Sequence, residues 1–251
     1  MKSPTKTRPR VALLSEPLIG SLVRLVLGHI DADCRLVRAP ADLRKLVREG
    51  WPEILLADLD HHERAPEWTR YDGFVIPCVG LTRRRETMFK LEAYRRGAYD
   101  VIEVPFTPDE IVVRTMAAYA RAHGRTPVLR ARLRVEPFEM DIAVGSVRMD
   151  STPLRLTLLE QTLLYLFLAH PGEVLDRERI LANVWGAGSA VTSNVIDRHI
   201  RDLRVKLGES WRSPRFIETI PGEGYRFVGA GHEAAAPPAV ATPRNRSSPL
   251  T

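Results

Sequence analysis

Short apolar runs alternate with longer amphipathic stretches through the first half of the chain. Residues 11–14 form an unbroken strand-length run, followed by helical spacing over about 19–30, a short strand near 34–36 and a second helix over about 41–49. A buried-type strand follows at 54–57, and another apolar strand falls at 73–76 or 78–81. The pattern then gives a helix over 86–96, a strand at 99–102 and a last helix from after Thr107-Pro108 to about Arg121. Strands that alternate with helices predict an α/β unit with a five-stranded parallel sheet covered on both faces, a (βα)5 arrangement over residues 10–122. In such a sheet, ligand chemistry gathers at the carboxyl ends of the strands.

The periodicity changes after residue 124. Residues 124–132 read as a short linker, and 133–156 hold several short strand candidates, at 138–140, 146–149 and 154–156. The segment LTLLE at 156–160 is a capping box that opens a strongly apolar helix through Ala169, stopped by Pro171-Gly172. A second helix begins after Asp176 and ends at Trp185-Gly186. Over 193–207, Ile196, Ile200, Leu203 and Leu207 share one helical face, and Asn194, Arg198, Arg201 and Asp202 project from the other. Two β-rich runs, 216–220 and 225–228, flank the turn at 221–224 and predict a hairpin. Residues 133–229 therefore read as an α+β unit in which a basic helix is set in front of a hairpin. That arrangement suits a helix laid in a major groove with a hairpin beside it.

Composition narrows the function classes. A formal charge of +6 favours a polyanionic partner, though charge alone does not identify one. Cys34 and Cys78 stand far apart without metal-type spacing, so reduced, partly buried thiols are expected. The basic first residues lead into a strand instead of a leader, and no run approaches about 18 apolar residues, so a cytoplasmic protein with no membrane contact is expected. No nucleophile, base and acid set and no phosphate-cradling glycine loop is present, so no enzyme activity and no required cofactor are expected. Residues 1–9 and 231–251 read as flexible tails, because their composition lacks the apolar surface that repays ordering.

The segments LTLLEQTLLYLFLAHPGEVLDRERILANVWG, NVIDRHIRDLRVKLG and FIETIPGEGYRFV resemble the winged helix-turn-helix effector domain of OmpR/PhoB-type response regulators. They cover most of residues 138–229, in the family's order. More weakly, residues 10–122 resemble the family's receiver domain, with Asp58 ending the third strand, Thr82 the fourth, and Val104-Pro105-Phe106 following the fifth. The resemblance implies a transcription regulator that binds double-stranded DNA, contacts RNA polymerase and forms a homodimer through the last receiver helices, with Phe89, Tyr94, Arg114 and Tyr119 at the contact.

It also assigns the sites. Arg201, Arg204, His199, Trp185, Thr219 and Tyr225 match positions that touch DNA phosphates, and such donors fix register without reading sequence. Core packing is the competing role for Trp185 and Tyr225, and a salt bridge for Arg204. Arg198, at the centre of the exposed face, can reach guanine O6 and N7. Asp202 can accept from cytosine N4 or simply orient Arg198, and with Pro221 in the hairpin turn, Arg226 is the nearest cation of the wing. In the receiver pocket, Asp58 holds the phosphoacceptor position beside Ser15, Glu16, Thr82 and Val104. Ser15 stands where the family has a second acid, and Val104 where it has a lysine. Glu16 and Asp58 can then hold Mg²⁺ only weakly, and phosphoryl transfer loses its electrostatic support. Val101 replaces the switch aromatic. Asp60 and Glu63 beside His61 and His62 suggest a metal site, but adjacent histidines in a polar loop read more readily as solvated side chains. The leading expectation is a DNA-binding regulator independent of Asp58 phosphorylation. The alternatives are an ordinary phosphorylation-switched regulator, a polymerase- or protein-binding adaptor, and a small-molecule or redox sensor in the altered pocket.

Overall fold

The computed structural model describes residues 8–71, 74–124, 131–186, 189 and 191–229. The expected tail at 231–251, residues 1–7 and most of the expected linker lie outside them. Strands β1 (Arg10–Leu14), β2 (Asp33–Val37) and β3 (Ile54–Asp58) are separated by helices α1 (Pro17–Gly28) and α2 (Pro40–Arg48). Both helices have proline in their first turn, where its missing N–H costs nothing. After β3 the chain takes a 3-10 turn (Ala65–Thr69) and a two-stranded ribbon, β4 (Arg70–Tyr71) and β5 (Phe74–Val75), in place of a crossover α-helix. Of the two strand candidates in this region, β6 (Cys78–Thr82) enters the main sheet and is buried along its whole length. Helix α3 (Thr87–Arg95), β7 (Asp100–Glu103) and α4 (Pro108–His123) complete this half, and α4 is capped by the Thr107 side chain.

The five long strands form a parallel sheet in the order β2-β1-β3-β6-β7, as the alternating pattern predicts. The order reverses between β1 and β3, so the loops leaving their carboxyl ends diverge and open a crevice. Ser15 and Glu16 follow β1, Asp58 ends β3 and Thr82 ends β6, which brings all four to that crevice.

The second half begins with a four-stranded antiparallel sheet of β8 (Arg132–Val135), β9 (Phe138–Asp141), β10 (Ser146–Met149) and β11 (Thr152–Leu154). Helix α5 (Leu158–Ala169) follows, and the capping box is formed: Thr157 Oγ1 accepts from the Glu160 amide, and the Glu160 carboxylate accepts from the Thr157 amide at 2.6 Å. Then come β12 (Val174–Asp176), α6 (Arg177–Val184), α7 (Ser193–Leu207), β13 (Ile217–Ile220) and β14 (Gly224–Phe227). Strand β12 joins the hairpin to make a third strand of the wing sheet. Ile196, Ile200, Leu203 and Leu207 are all fully buried, so the apolar face of α7 packs as its spacing requires. No helix among the described residues is long and apolar enough to cross a membrane.

One apolar core runs through both halves, and a second, built on Leu14, Leu43 and Leu55, lies wholly within the first half. Helix α1 packs on α6. Thr162 Oγ1 donates to the Phe106 carbonyl at 2.8 Å, and Gln161 Nε2 donates to Asp109 at 3.0 Å. The His29 and Tyr165 rings meet edge to face across the seam, 5.9 Å apart.

Candidate nucleic-acid interface and receiver pocket

Because one face of α7 is committed to the core, the opposite face is presented outward. The side chains of Arg198 and Arg201 are 74% and 72% exposed, and Asn194 is exposed on the same side. Asp202 sits between the two arginines, accepting from Arg201 Nη2 at 3.3 Å and lying 4.0 Å from Arg198 Nε. His199 is half-buried at the edge of this face.

Other expected phosphate contacts are built into the domain. Arg204 is 6% exposed, and its guanidinium donates to the Ile217 carbonyl at 2.7 Å and to Thr219 Oγ1 at 2.8 Å. Glu209, itself satisfied by the amides of Arg215, Phe216 and Ile217, lies 3.9 Å from Arg204. Burial pushes the Glu209 carboxyl up and the Arg204 guanidinium down from their ordinary values. The expectation that Arg204 contacts DNA is therefore corrected: the residue is buried, Nε and Nη2 join α7 to β13, and the salt-bridge alternative holds. Thr219 is committed to the same arginine. Tyr225 is 4% exposed, and its hydroxyl donates to Asp197 at 2.6 Å while accepting from Arg177. Burial, and then Asp197, push the Tyr225 phenol up to about 12. Arg226 is paired with Glu218 at 2.6 Å across the hairpin. Trp185 is 8% exposed and lies at the seam between the two halves.

The receiver pocket differs from its expected form in three ways, all of them changes of charge. Arg83, the first residue after β6, sends its guanidinium into the crevice. Nη1 donates to Asp58 Oδ2 at 3.2 Å and to Asp60 Oδ2 at 3.0 Å, and Nη2 donates to Glu16 Oε2 at 3.3 Å. A cation is thus present although Val104, which is buried, supplies none. Second, Asp60 turns back into the pocket instead of staying in a solvated loop. Its carboxylate accepts from the Thr82 hydroxyl at 2.6 Å and from the Arg83 amide at 2.8 Å. Burial alone would raise the Asp60 pKa, but the Thr82 hydroxyl and the Arg83 amide and guanidinium together hold it below the usual carboxylate value. Third, His61 is no free loop residue. Its ring nitrogens lie 3.3 Å from Asp58 and 3.4 Å from Glu16. His62 packs edge to face on Trp68 at 6.1 Å, and burial lowers its pKa. Burial also disfavours the charge on Arg83, but Asp58, Asp60 and Glu16 outweigh it and raise that pKa. Ser15 is buried, with its hydroxyl on the Glu16 carbonyl.

A divalent cation fits this arrangement poorly. Ligand atoms of Glu16, Asp58 and His61 lie within 4.8 Å of one another, but the two carboxylates already serve Arg83. Mg²⁺ would have to displace a guanidinium that is fixed on three acids. Thr82, which would hydrogen-bond an incoming phosphoryl group, instead donates to Asp60.

The sequence reading does not single out Arg83, and it places Asp60 and His61 in a polar loop or a metal site of their own instead of the receiver pocket. The available signal was the juxtaposition of two loops of opposite charge, DLDHHER after β3 and RRR after β6, at neighbouring strand ends. The expected dimer face also needs one correction. Tyr119 is 3% exposed and packs on His123, so it is part of the core. Phe89 lies half-buried under the Arg84 guanidinium, Tyr94 is exposed, and Arg114 pairs with Asp100 and Glu110.

Comparison with known proteins agrees with this architecture. Residues 151–227 match the family model "Transcriptional regulatory protein, C terminal". The phosphate regulon transcriptional regulatory protein PhoB of Escherichia coli K12 is 31% identical over 191 residues, which span 72% of this chain and 80% of that protein. PhoB of Klebsiella pneumoniae is 34% identical over 196 residues, with the same coverage. The uncharacterized transcriptional regulatory protein YcbL of Bacillus subtilis is 35% identical over 155 residues, 61% of this chain and 69% of its own length. Matched across four fifths of a PhoB relative, with a winged helix behind a five-stranded parallel sheet, the chain belongs to the OmpR/PhoB family of response regulators, DNA-binding regulators of transcription.

Proposed function

We propose that the protein is a cytoplasmic, sequence-specific regulator that binds DNA as a dimer and does so without phosphorylation of Asp58. Residues 10–122 serve as the dimerisation and sensing unit and residues 133–229 as the reading unit. The observation that carries the reading is the outward face of α7, where Arg198 and Arg201 are exposed on either side of one acid. Arg198 reads a base pair in the major groove, and Arg201 and His199 hold the backbone. Trp185 can add a phosphate contact only when the seam opens. Two copies engage repeated half-sites about one helical turn apart. Exposed Met88, Leu91 and Tyr94 on α3 and Val113 on α4 supply apolar surface for the dimer contact. RNA polymerase is the proposed protein partner, and no catalytic step is assigned to the chain.

The phosphorylation-independent part rests on the pocket. Asp58, Glu16 and Asp60 are engaged by Arg83, and Thr82 by Asp60. A second reading, a protein adaptor, is favoured by the exposed side chains of Val205 and Trp211 beside the end of α7. A salt titration of binding to genomic DNA fragments separates the two. A steep fall in affinity with salt, together with a discrete footprint, supports DNA reading, and salt-insensitive polymerase binding without a footprint supports the adaptor.

A further inference from the structure

We infer that Arg83 is a positioning residue that latches the winged-helix domain onto the receiver pocket. This inference rests on the DNA-binding reading above and adds a means of regulating it. The guanidinium has two kinds of partner. Nη1 and Nη2 are held by Glu16, Asp58 and Asp60, all in the receiver half. Nε donates to the backbone carbonyl of Trp185 at 3.0 Å, across the seam at the end of α6. One planar side chain therefore reads the charge of the pocket and grips the effector domain at once, as a guanidinium can through its fixed fork of donors. The receiving surface is shaped for it. At Gly186, where φ is 87, an added Cβ would lie 2.2 Å from Arg83 Nη2, so a side chain there cannot coexist with the docked guanidinium.

The latch bears on DNA binding through Trp185. Docked, this residue is 8% exposed and held by its own carbonyl, while the arginines of α7 stay open to solvent. The docked state can touch DNA with part of its surface only. The rest of the seam is less well matched in its polar groups: His29 Nε2 and Tyr165 Oη are buried without a hydrogen-bond partner among the described residues. Across the seam, Arg83 supplies a charged donor that is itself fixed by three acids, beside apolar packing and the Thr162–Phe106 and Gln161–Asp109 hydrogen bonds. With no aromatic at Val101 to relay a change, the charge of the Asp58 pocket acts on the effector domain through Arg83 directly.

The test compares full-length wild type with Arg83→Ala, Arg83→Lys and Gly186→Ala by small-angle X-ray scattering and by DNA binding, with thermal unfolding as the control for folding. Arg83→Ala should increase the radius of gyration and tighten DNA binding by about 3- to 10-fold, because the fully competent state is no longer held back. Arg83→Lys keeps the charge but has one nitrogen for four acceptors, so it should fall between the two. Gly186→Ala retains Arg83 but puts a Cβ against the docked guanidinium, so the contact with the Trp185 carbonyl should be lost and the protein should open even if Arg83→Ala is too unstable to measure. Folded Arg83→Ala or Gly186→Ala proteins with the scattering profile and DNA affinity of wild type would overturn the latch while leaving the DNA-binding reading intact. Expanded variants of a protein that binds no DNA would support the latch and remove that reading.

Discussion

Arg83 Nη1 lies 3.2 Å from Asp58 Oδ2, so the carboxylate at the phosphoacceptor position already has a cation for a partner. The same guanidinium is shared with Glu16 and Asp60, which leaves no carboxylate pair free to ligate Mg²⁺. The expected outcome of a calorimetric Mg²⁺ titration is no saturable binding in the low millimolar range. Arg83→Ala, which unmasks three acids, should gain binding. Tight Mg²⁺ binding by wild type would mean that the guanidinium yields readily and that the family's metal chemistry is intact.

Arg198 and Arg201 are equally exposed but differ in place on α7. Arg198→Ala should weaken binding to the preferred site by about 1–3 kcal/mol and relax selectivity at one base position. Arg201→Ala should weaken specific and random DNA alike and reduce the salt slope by about 1. Competition binding over a set of single-base site variants gives both readouts. Equal losses on specific and random DNA for both mutants would remove the base-reading role of Arg198.

Arg204 is a structural residue, and its loss should show in stability first. The Glu209 side chain is fully buried, and removing Arg204 leaves its carboxylate with backbone amides but no countercharge between α7 and β13. Breaking a buried pair in this way costs about 3–5 kcal/mol. Denaturant unfolding of Arg204→Ala should show a loss of that order. A mutant of wild-type stability with a flattened salt slope would return Arg204 to the DNA contacts.

Acid should weaken both halves. Asp60 is held below its ordinary pKa by Thr82 and Arg83 against the effect of burial, and Glu160 by Lys206 and Thr157 against the same effect. A carboxylate with a depressed folded pKa contributes stability that is fully present above its unfolded value, near 4. That stability is lost as pH falls through the lower folded value. Unfolding midpoints measured between about pH 6 and pH 3 should therefore drop below about pH 4. Asp60→Asn and Glu160→Gln should each be less stable at neutral pH and flatten that drop. A mutant whose acid limb matches wild type would show that its carboxylate carries no such linkage.

The second half was readable almost residue by residue, because Ile196, Ile200, Leu203 and Leu207 declare one helical face and Thr157 and Glu160 declare a cap. The parallel sheet was plain at β1 and β3, which are buried on both faces and written as continuous apolar runs, whereas two neighbouring apolar runs competed for β6. What escaped was pairing at a distance. Arg83 lies 25 residues from Asp58 in the chain and Trp185 lies 102 from Arg83, and no local period records such contacts. The loss of lysine at Val104 was visible, but its compensation from a neighbouring strand end was not. Arg204 and Tyr225 were likewise ambiguous, because a cation or a phenol on a helix flank or strand looks the same whether it meets phosphate or a buried acid. Burial decides that, and burial belongs to the fold.

Operator binding by wild type before and after incubation with Mg²⁺ and acetyl phosphate, beside Asp58→Ala and with intact mass recorded on each sample, tests phosphorylation-independent DNA binding directly. The expected result is little or no added phosphoryl mass and wild-type affinity that treatment leaves unchanged, with Asp58→Ala still binding the operator. Near-complete phosphorylation with a gain in affinity or dimerisation that Asp58→Ala abolishes would contradict it and restore an ordinary phosphorylation switch.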